Sequence, residues 1–190
     1  FYSGSKRFLS IETAEAICCQ LPPLVTRVGL FVNPTVEEVQ AVLSEGLIDL
    51  LQFHGAETDA FCRQFDLPYM KAIRVSERMT ELEILDRIHE AEGAAAVLLD
   101  TYVEDVPGGT GKTFDWDRVP RHPGKPVVMA GGLNSLNVSQ VIRQVKPFAV
   151  DLSGGVEDRP GIKSPEKMAA FMQAVAEASA ETDQKSDEVE

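Results

Sequence analysis

The run Leu98-Leu99-Asp100-Thr101, with Pro107-Gly108-Gly109-Thr110-Gly111-Lys112-Thr113-Phe114-Asp115-Trp116 close behind it, decides how this chain is read. Ala94 to Leu99 is apolar throughout, the pattern of a strand buried on both faces. It ends in a carboxylate, Asp100. A glycine-rich loop follows, and then a Phe-Asp-Trp anchor. Barrels and open parallel sheets both place their chemistry at the carboxyl ends of such strands, so Asp100 is the first candidate catalytic residue. A lone Asp there more often caps a helix or pins a loop. Its reading therefore rests on what the other strand ends carry.

Working outward, the same alternation recurs on both sides. Val25 to Val32, Ile48 to Phe53, a segment centred on Met70 to Ile73, Pro126 to Ala130 and Phe148 to Leu152 read as further strands, and Phe1-Tyr2 as the stub of another. Between them lie helix signals. Ser10 caps a helix expected to bury Ala14, Ile17, Cys18 and Leu21 and to stop at Pro22-Pro23. Thr35-Val-Glu-Glu38 and Thr80-Glu-Leu-Glu83 are capping boxes, and Thr58 to Phe65 reads as a short helix. Asn134 or Ser135 is the expected cap of a helix carrying Leu136, Val138, Val141, Ile142 and Val145, and Ser164-Pro165 opens a last helix to about Ala178.

The strands recur at intervals of about 20 to 30 residues, each followed by a helix, which predicts parallel strands with crossover helices. An open doubly wound sheet and a (β/α)₈ barrel both fit. The open sheet expects a Gly-x-Gly-x-x-Gly turn after an early strand, and none is present. The barrel expects a phosphate site in the turns after its last two strands. Those turns are Gly131-Gly132 and Ser153-Gly154-Gly155. At about 31 residues per βα unit, the chain reads as a barrel lacking its first strand and helix and most of its second strand, with an apolar gap exposed in their place. The barrel domain is expected over residues 1–178.

Composition bounds the function. The 190 residues carry a formal net charge of −12, and no basic stripe offers a nucleic-acid surface. No apolar run approaches a membrane span. Cys18, Cys19 and Cys62 fit neither a zinc site nor a disulfide framework, so the cytoplasm is the expected compartment, and no cluster of ligands suggests a metal. Glu177 to Glu190 holds six acids and one lysine, and 179–190 reads as a disordered acidic tail.

An acidic chain that holds an anion needs local donors. Glycine lets backbone N–H groups approach a phosphate closely, and helix amino termini add free N–H groups, so Gly131, Gly132, Gly154 and Gly155 are the candidate phosphate residues. Arg7 lies in a loop at the same end, where a guanidinium can hold a carboxylate in a two-pronged grip. His54 ends a strand beside Gln52, and Asp151 ends the last strand. An acid–base mechanism needs a partner opposite Asp100, and no obvious base stands in the chain.

The residues resemble phosphoribosylanthranilate isomerase, the barrel enzyme family of tryptophan biosynthesis. Besides the Gly-Thr-Gly-Lys-Thr-Phe-Asp-Trp run, the segments are Ser5-Lys6-Arg7-Phe8, Val28 to Asn33, Gln52-Phe53-His54-Gly55, Ala130 to Asn134 and Pro147 to Glu157. The resemblance implies isomerisation of N-(5′-phosphoribosyl)anthranilate to 1-(2-carboxyphenylamino)-1-deoxyribulose 5-phosphate, an Amadori rearrangement without cofactor. It implies that Asp100 protonates the ribose ring oxygen, that Arg7 meets the anthranilate end, and that the two glycine turns hold the phosphate of this phosphosugar. Asp151 and His54 would line the pocket. The family's base is a Cys in a Lys-x-Cys-Gly segment that these residues do not contain, so little or no turnover is expected from them alone. The alternatives are a non-catalytic barrel that binds a phosphorylated ligand, or another phosphate-binding barrel enzyme such as indole-glycerol-phosphate synthase. Whether the chain is a monomer or a homodimer is not legible here.

Overall fold

The strands of the computed structural model are hydrogen-bonded in chain order. The structure describes residues 1–102 and 113–187, side chains at 102 and 183–187 excepted. Pro107 to Lys112 of the quoted run, and 188–190 of the expected tail, lie outside the described residues.

Among the described residues six strands, β1 (Val28–Phe31), β2 (Leu50–Phe53), β3 (Tyr69–Ser76), β4 (Ala96–Tyr102), β5 (Val127–Met129) and β6 (Ala149–Val150), form one sheet of order β1 to β6 without reversal. β1 with β2, β2 with β3, and β5 with β6 pair in parallel. An open doubly wound sheet reverses its order at a switch point. This order does not, so the α/β class is that of the (β/α)₈ barrel.

The chain divides into two compact units, Phe1–Ala72 with His89–Val97, and Ile73–Ile88 with the residues from Leu98 onward. In the first, α1 (Ile11–Cys18), α2 (Val36–Ser44) and α3 (Asp59–Cys62) follow the expected signals. The Thr35 box closes as its sequence requires: Glu38 N–H donates to Thr35 Oγ1 at 3.2 Å, and Thr35 N–H donates to Glu38 Oε2 at 2.8 Å. The core is aromatic. Phe53 packs on Phe31, Phe61, Phe65 and Tyr69 with ring centroids 5.8–6.2 Å apart. Each such ring fully buried contributes about 1.5–3 kcal/mol.

The expectation for α1 fails. Ala14 is buried, but Ile17 is 45% and Leu21 39% exposed, and Cys18 is only half-buried. The helix ends at Cys18, before the prolines, so Leu21 leaves its apolar row. Phe1 lies beside β1, its amine donating to Leu30 O at 2.8 Å and its ring stacked on Phe31 at 5.5 Å. The loop that bears Arg7 thus departs next to the carboxyl end of β1. Val28 and Leu30 of β1 are exposed.

In the second unit, the Thr80 box opens α4 (Glu81–Glu90), with Thr80 N–H on Glu83 Oε2 at 2.7 Å and Glu83 N–H on Thr80 Oγ1 at 3.3 Å. α5 (Val138–Val145) starts later than expected, with Asn137 as its cap position. Asn134 instead closes a local turn, its Oδ1 accepting from Leu136 N–H at 2.8 Å, and Leu136 sits outside the helix, 94% exposed. A hairpin of β7 (Glu157–Arg159) and β8 (Ile162–Lys163) precedes α6 (Pro165–Asp187). Ser164 O accepts from Met168 N–H at 2.9 Å, with Pro165 at the first helical position. α6 continues past Ala178 into the segment expected to be disordered. Its Ala, Glu, Gln and Lys residues favour helix, and Glu181 accepts from Arg143 of α5 at 2.8 Å.

Candidate functional site

In the second unit Asp100 lies in β4, directly behind the buried pair Leu98 and Leu99. The turn after β5 packs against it. Gly131 and Gly132 have φ of +81° and +69°, a conformation that disfavours any side chain. A Cβ at Gly131 would lie 2.7 Å from Asp100 Oδ1 and 2.6 Å from Thr101 Oγ1, and would collide with the Thr101 amide nitrogen. Gly131 is therefore glycine because the Thr101 backbone, with the Thr101 and Asp100 side chains beside it, occupies the adjoining space.

Thr101 ties three pieces together. Its hydroxyl accepts from Phe114 N–H at 3.2 Å and lies 3.4 Å from Gly131 O as a donor. Phe114 and Trp116, the anchor expected from the sequence, are both buried. The indole nitrogen of Trp116 is buried with no acceptor among the described residues.

The second glycine turn interlocks with the first. Gly154–Val156 form one 3₁₀ turn, and a Cβ at Gly155 would collide with Leu133 O and lie 3.2 Å from Asn134 Cα. Asn137 Nδ2 donates to Gly132 O at 3.0 Å, and Lys163 Nζ donates to Ser153 O at 2.9 Å, so each turn is fixed by a side chain from the segment that follows it. Asp151, just past β6, is exposed, and its N–H donates to Met129 O at 2.8 Å. The structure thus brings Asp100 against Gly131, and the Gly155 turn against the Leu133–Asn134 backbone. Thr101, Asn137 and Lys163 were missed in the sequence. Only their positions next to strand ends and glycine pairs could have singled them out.

In the first unit His54 directly follows β2. Its Nδ1 is 3.2 Å from Nε2 of Gln52, which is 6% exposed. Arg7 is exposed in a turn whose N–H donates to Ser5 Oγ at 3.0 Å. The cysteines fall away from these strand ends. Burial pushes the Cys62 thiol up to about 12, so at neutral pH it neither ionises nor takes a proton. Cys18 Sγ contacts Leu47 O at 3.4 Å, and Cys19 caps the end of α1. Nearby, a two-pronged pair between Arg27 and Asp49 (2.6 and 2.9 Å) holds the Asp49 carboxyl down to about 2, so the pair is charged at neutral pH.

A family model described as N-(5′-phosphoribosyl)anthranilate (PRA) isomerase matches residues 1–174. A relative from Pseudomonas putida named N-(5′-phosphoribosyl)anthranilate isomerase is 51% identical over 178 residues, 94% of this chain and 85% of the relative. The solved phosphoribosyl anthranilate isomerase of Thermotoga maritima superposes with a TM-score of 0.78 at 38% identity, covering 92% of this chain and 84% of that one. A solved isomerase in complex with reduced 1-(o-carboxyphenylamino)-1-deoxyribulose 5-phosphate gives a TM-score of 0.74 at 34% identity, covering 92% and 83%. With its residues 1–174 matched and relatives about half identical across most of both chains, this chain belongs to the N-(5′-phosphoribosyl)anthranilate isomerase family.

Proposed function

We propose that Asp100 is the general acid of this isomerase and that the Gly131-Gly132 and Gly154-Gly155 turns hold the substrate phosphate. The reaction is that of the family: N-(5′-phosphoribosyl)anthranilate is isomerised to 1-(2-carboxyphenylamino)-1-deoxyribulose 5-phosphate in tryptophan biosynthesis. The observation that carries the residue assignment is the packing of Gly131 against Asp100 Oδ1, with the Gly155 turn seated on the residues just after it. The Gly131–Asn134 backbone thus lies against the proposed acid on one side and the second glycine turn on the other.

The chemistry follows from what ring opening requires. Asp100 enters with its proton and delivers it to the ribose ring oxygen. The anthranilate nitrogen lone pair moves toward C1′, the C1′–O bond breaks, and an open-chain iminium forms. Asp100 is left as the carboxylate. The iminium makes the C2′ proton acidic, and its removal gives the enolamine that tautomerises to the ketose. That removal needs a base, and Cys62, Cys18 and Cys19 do not supply one, so ring opening is the step assigned to these residues. Backbone N–H groups match the phosphate charge locally, which suits a chain of net charge −12. We assign Arg7 and His54 to the anthranilate carboxylate and Asp151 to the sugar hydroxyls. Three free cysteines support a reducing, cytoplasmic setting. No helix among the described residues is long and apolar enough to cross a membrane.

Ring opening can be read apart from the later proton transfer. With N-(5′-phosphoribosyl)anthranilate and cyanoborohydride, the iminium takes a hydride at C1′ and becomes a stable secondary amine. The protein is expected to accelerate formation of that amine above the uncatalysed rate. An unchanged rate, at saturating substrate, contradicts the proposal.

A further inference from the structure

We infer that Glu57 and Lys71 are positioning residues: a buried ion pair that holds His54 in register for its ligand. The inference rests on the assignment of His54 to the substrate carboxylate. Its evidence lies wholly within the first unit.

His54 is pinned on both sides by the same pair. Lys71 Nζ, projecting from β3, donates to Gly55 O at 2.7 Å, to Phe53 O at 3.3 Å and to Glu57 Oε2 at 3.0 Å. Glu57, whose side chain is 2% exposed, accepts from Gly55 N–H at 2.9 Å and from Asn33 N–H at 2.7 Å. Asn33, in a left-handed conformation at φ +47°, returns the tie, its Oδ1 accepting from Ala56 N–H at 2.7 Å. His54 N–H donates to Phe31 O at 2.9 Å. The residues before and after His54 are thus held by one cation and one carboxylate, and its own amide by β1.

Its ring is held as well. With the buried Gln52 amide nitrogen as donor, Nδ1 of His54 is the acceptor, and the ring proton sits on Nε2. That tautomer is a hydrogen-bond donor, which a carboxylate ligand requires. A buried ion pair adds little net stability over an apolar pair of the same volume. Here its hydrogen bonds go to the neighbours of His54 and to the Asn33 turn, not to a helix end. Fixing a ligand-binding side chain within a fraction of an ångström is what such a supporting shell does.

The test is the double variant Glu57→Gln/Lys71→Met, which removes both charges and leaves neither unpaired. The first readout is the two-bond ¹H–¹⁵N spectrum of the His54 ring. The parent is expected to show one Nε2–H tautomer, and the double variant an average of both. The second is affinity for reduced 1-(o-carboxyphenylamino)-1-deoxyribulose 5-phosphate, expected to fall about 10- to 100-fold, with no further fall when the double variant is added to His54→Ala. If the double variant unfolds, Glu57→Gln alone, which keeps an oxygen for the Asn33 and Gly55 amides, is read in the same way. A single tautomer retained in the variant overturns the inference, as does an equal loss of affinity with and without His54. If His54→Ala leaves affinity unchanged, the substrate role of His54 is what fails, and the ring spectrum still decides the clamp.

Discussion

Asp100→Asn is expected to slow enzyme-promoted ring opening by about 10²- to 10⁴-fold, the range that a positioned general acid supplies. Asn fills the same space, so the close packing against Gly131 and the Thr101 links to Gly131 and Phe114 survive. What is lost is the carboxyl proton. Affinity for the reduced product analogue is expected to change less than about tenfold, because the turns proposed for the phosphate and the residues proposed for the carboxylate are untouched. The trapping rate with cyanoborohydride measures the step directly. A variant that opens the ring at the parental rate would remove Asp100 from the mechanism. One that loses affinity and rate together would make Asp100 a binding residue instead.

Gly131→Ala is expected to damage both stability and ring opening. Two effects add. The residue sits at φ +81°, where a Cβ costs roughly 1–2 kcal/mol. The methyl also meets Thr101 Oγ1 and Asp100 Oδ1 at 2.6 and 2.7 Å and collides with the Thr101 amide nitrogen, which belongs to strand backbone and cannot swing aside. Relief of that collision must move β4, and with it Asp100. A displacement near 1 Å at a catalytic group costs about 10²-fold in rate. Gly124 separates the two effects. It has nearly the same φ, +77°, but nothing within 4 Å of a built Cβ. Gly124→Ala is expected to lower the urea midpoint modestly and leave ring opening unchanged. Gly131→Ala is expected to lower the midpoint further and to slow ring opening about 100-fold. Equal behaviour of the two variants would show that backbone strain alone, and not the neighbouring acid, dictates glycine at 131.

The elements that the sequence announced are those whose signals are local. Thr35 with Glu38, Thr80 with Glu83, and Ser164-Pro165 open helices through bonds made within one turn, and all three do so in the structure. Parallel strand order was legible from the spacing of apolar runs. The misses depend on distant partners. The apolar row of α1 gave no warning that Ile17 and Leu21 would be exposed, because burial is a property of what packs against a helix. The start of α5 shifted because Asn134 and Asn137 compete for the same turn, and each is an acceptable cap. The β7–β8 hairpin is too short and polar to show alternation. At the candidate site, Asp100 and the glycine pairs stood out by residue type and position. Gly131 lies against the Thr101 backbone and the Asp100 side chain as well as in its own turn, a relation between distant residues that no local pattern carries. Glu57 and Lys71 were invisible for the same reason, since a charged residue in a loop and a lysine in a strand look ordinary until their burial is known.

The most direct test of the account is a crystal structure of this chain with reduced 1-(o-carboxyphenylamino)-1-deoxyribulose 5-phosphate. The account predicts the phosphate against the backbone amides of Gly131-Gly132 and Gly154-Gly155, with Asp100 within hydrogen-bond distance of the oxygen released by ring opening. A phosphate held by surface lysines or arginines, with Asp100 remote from the sugar, would contradict it.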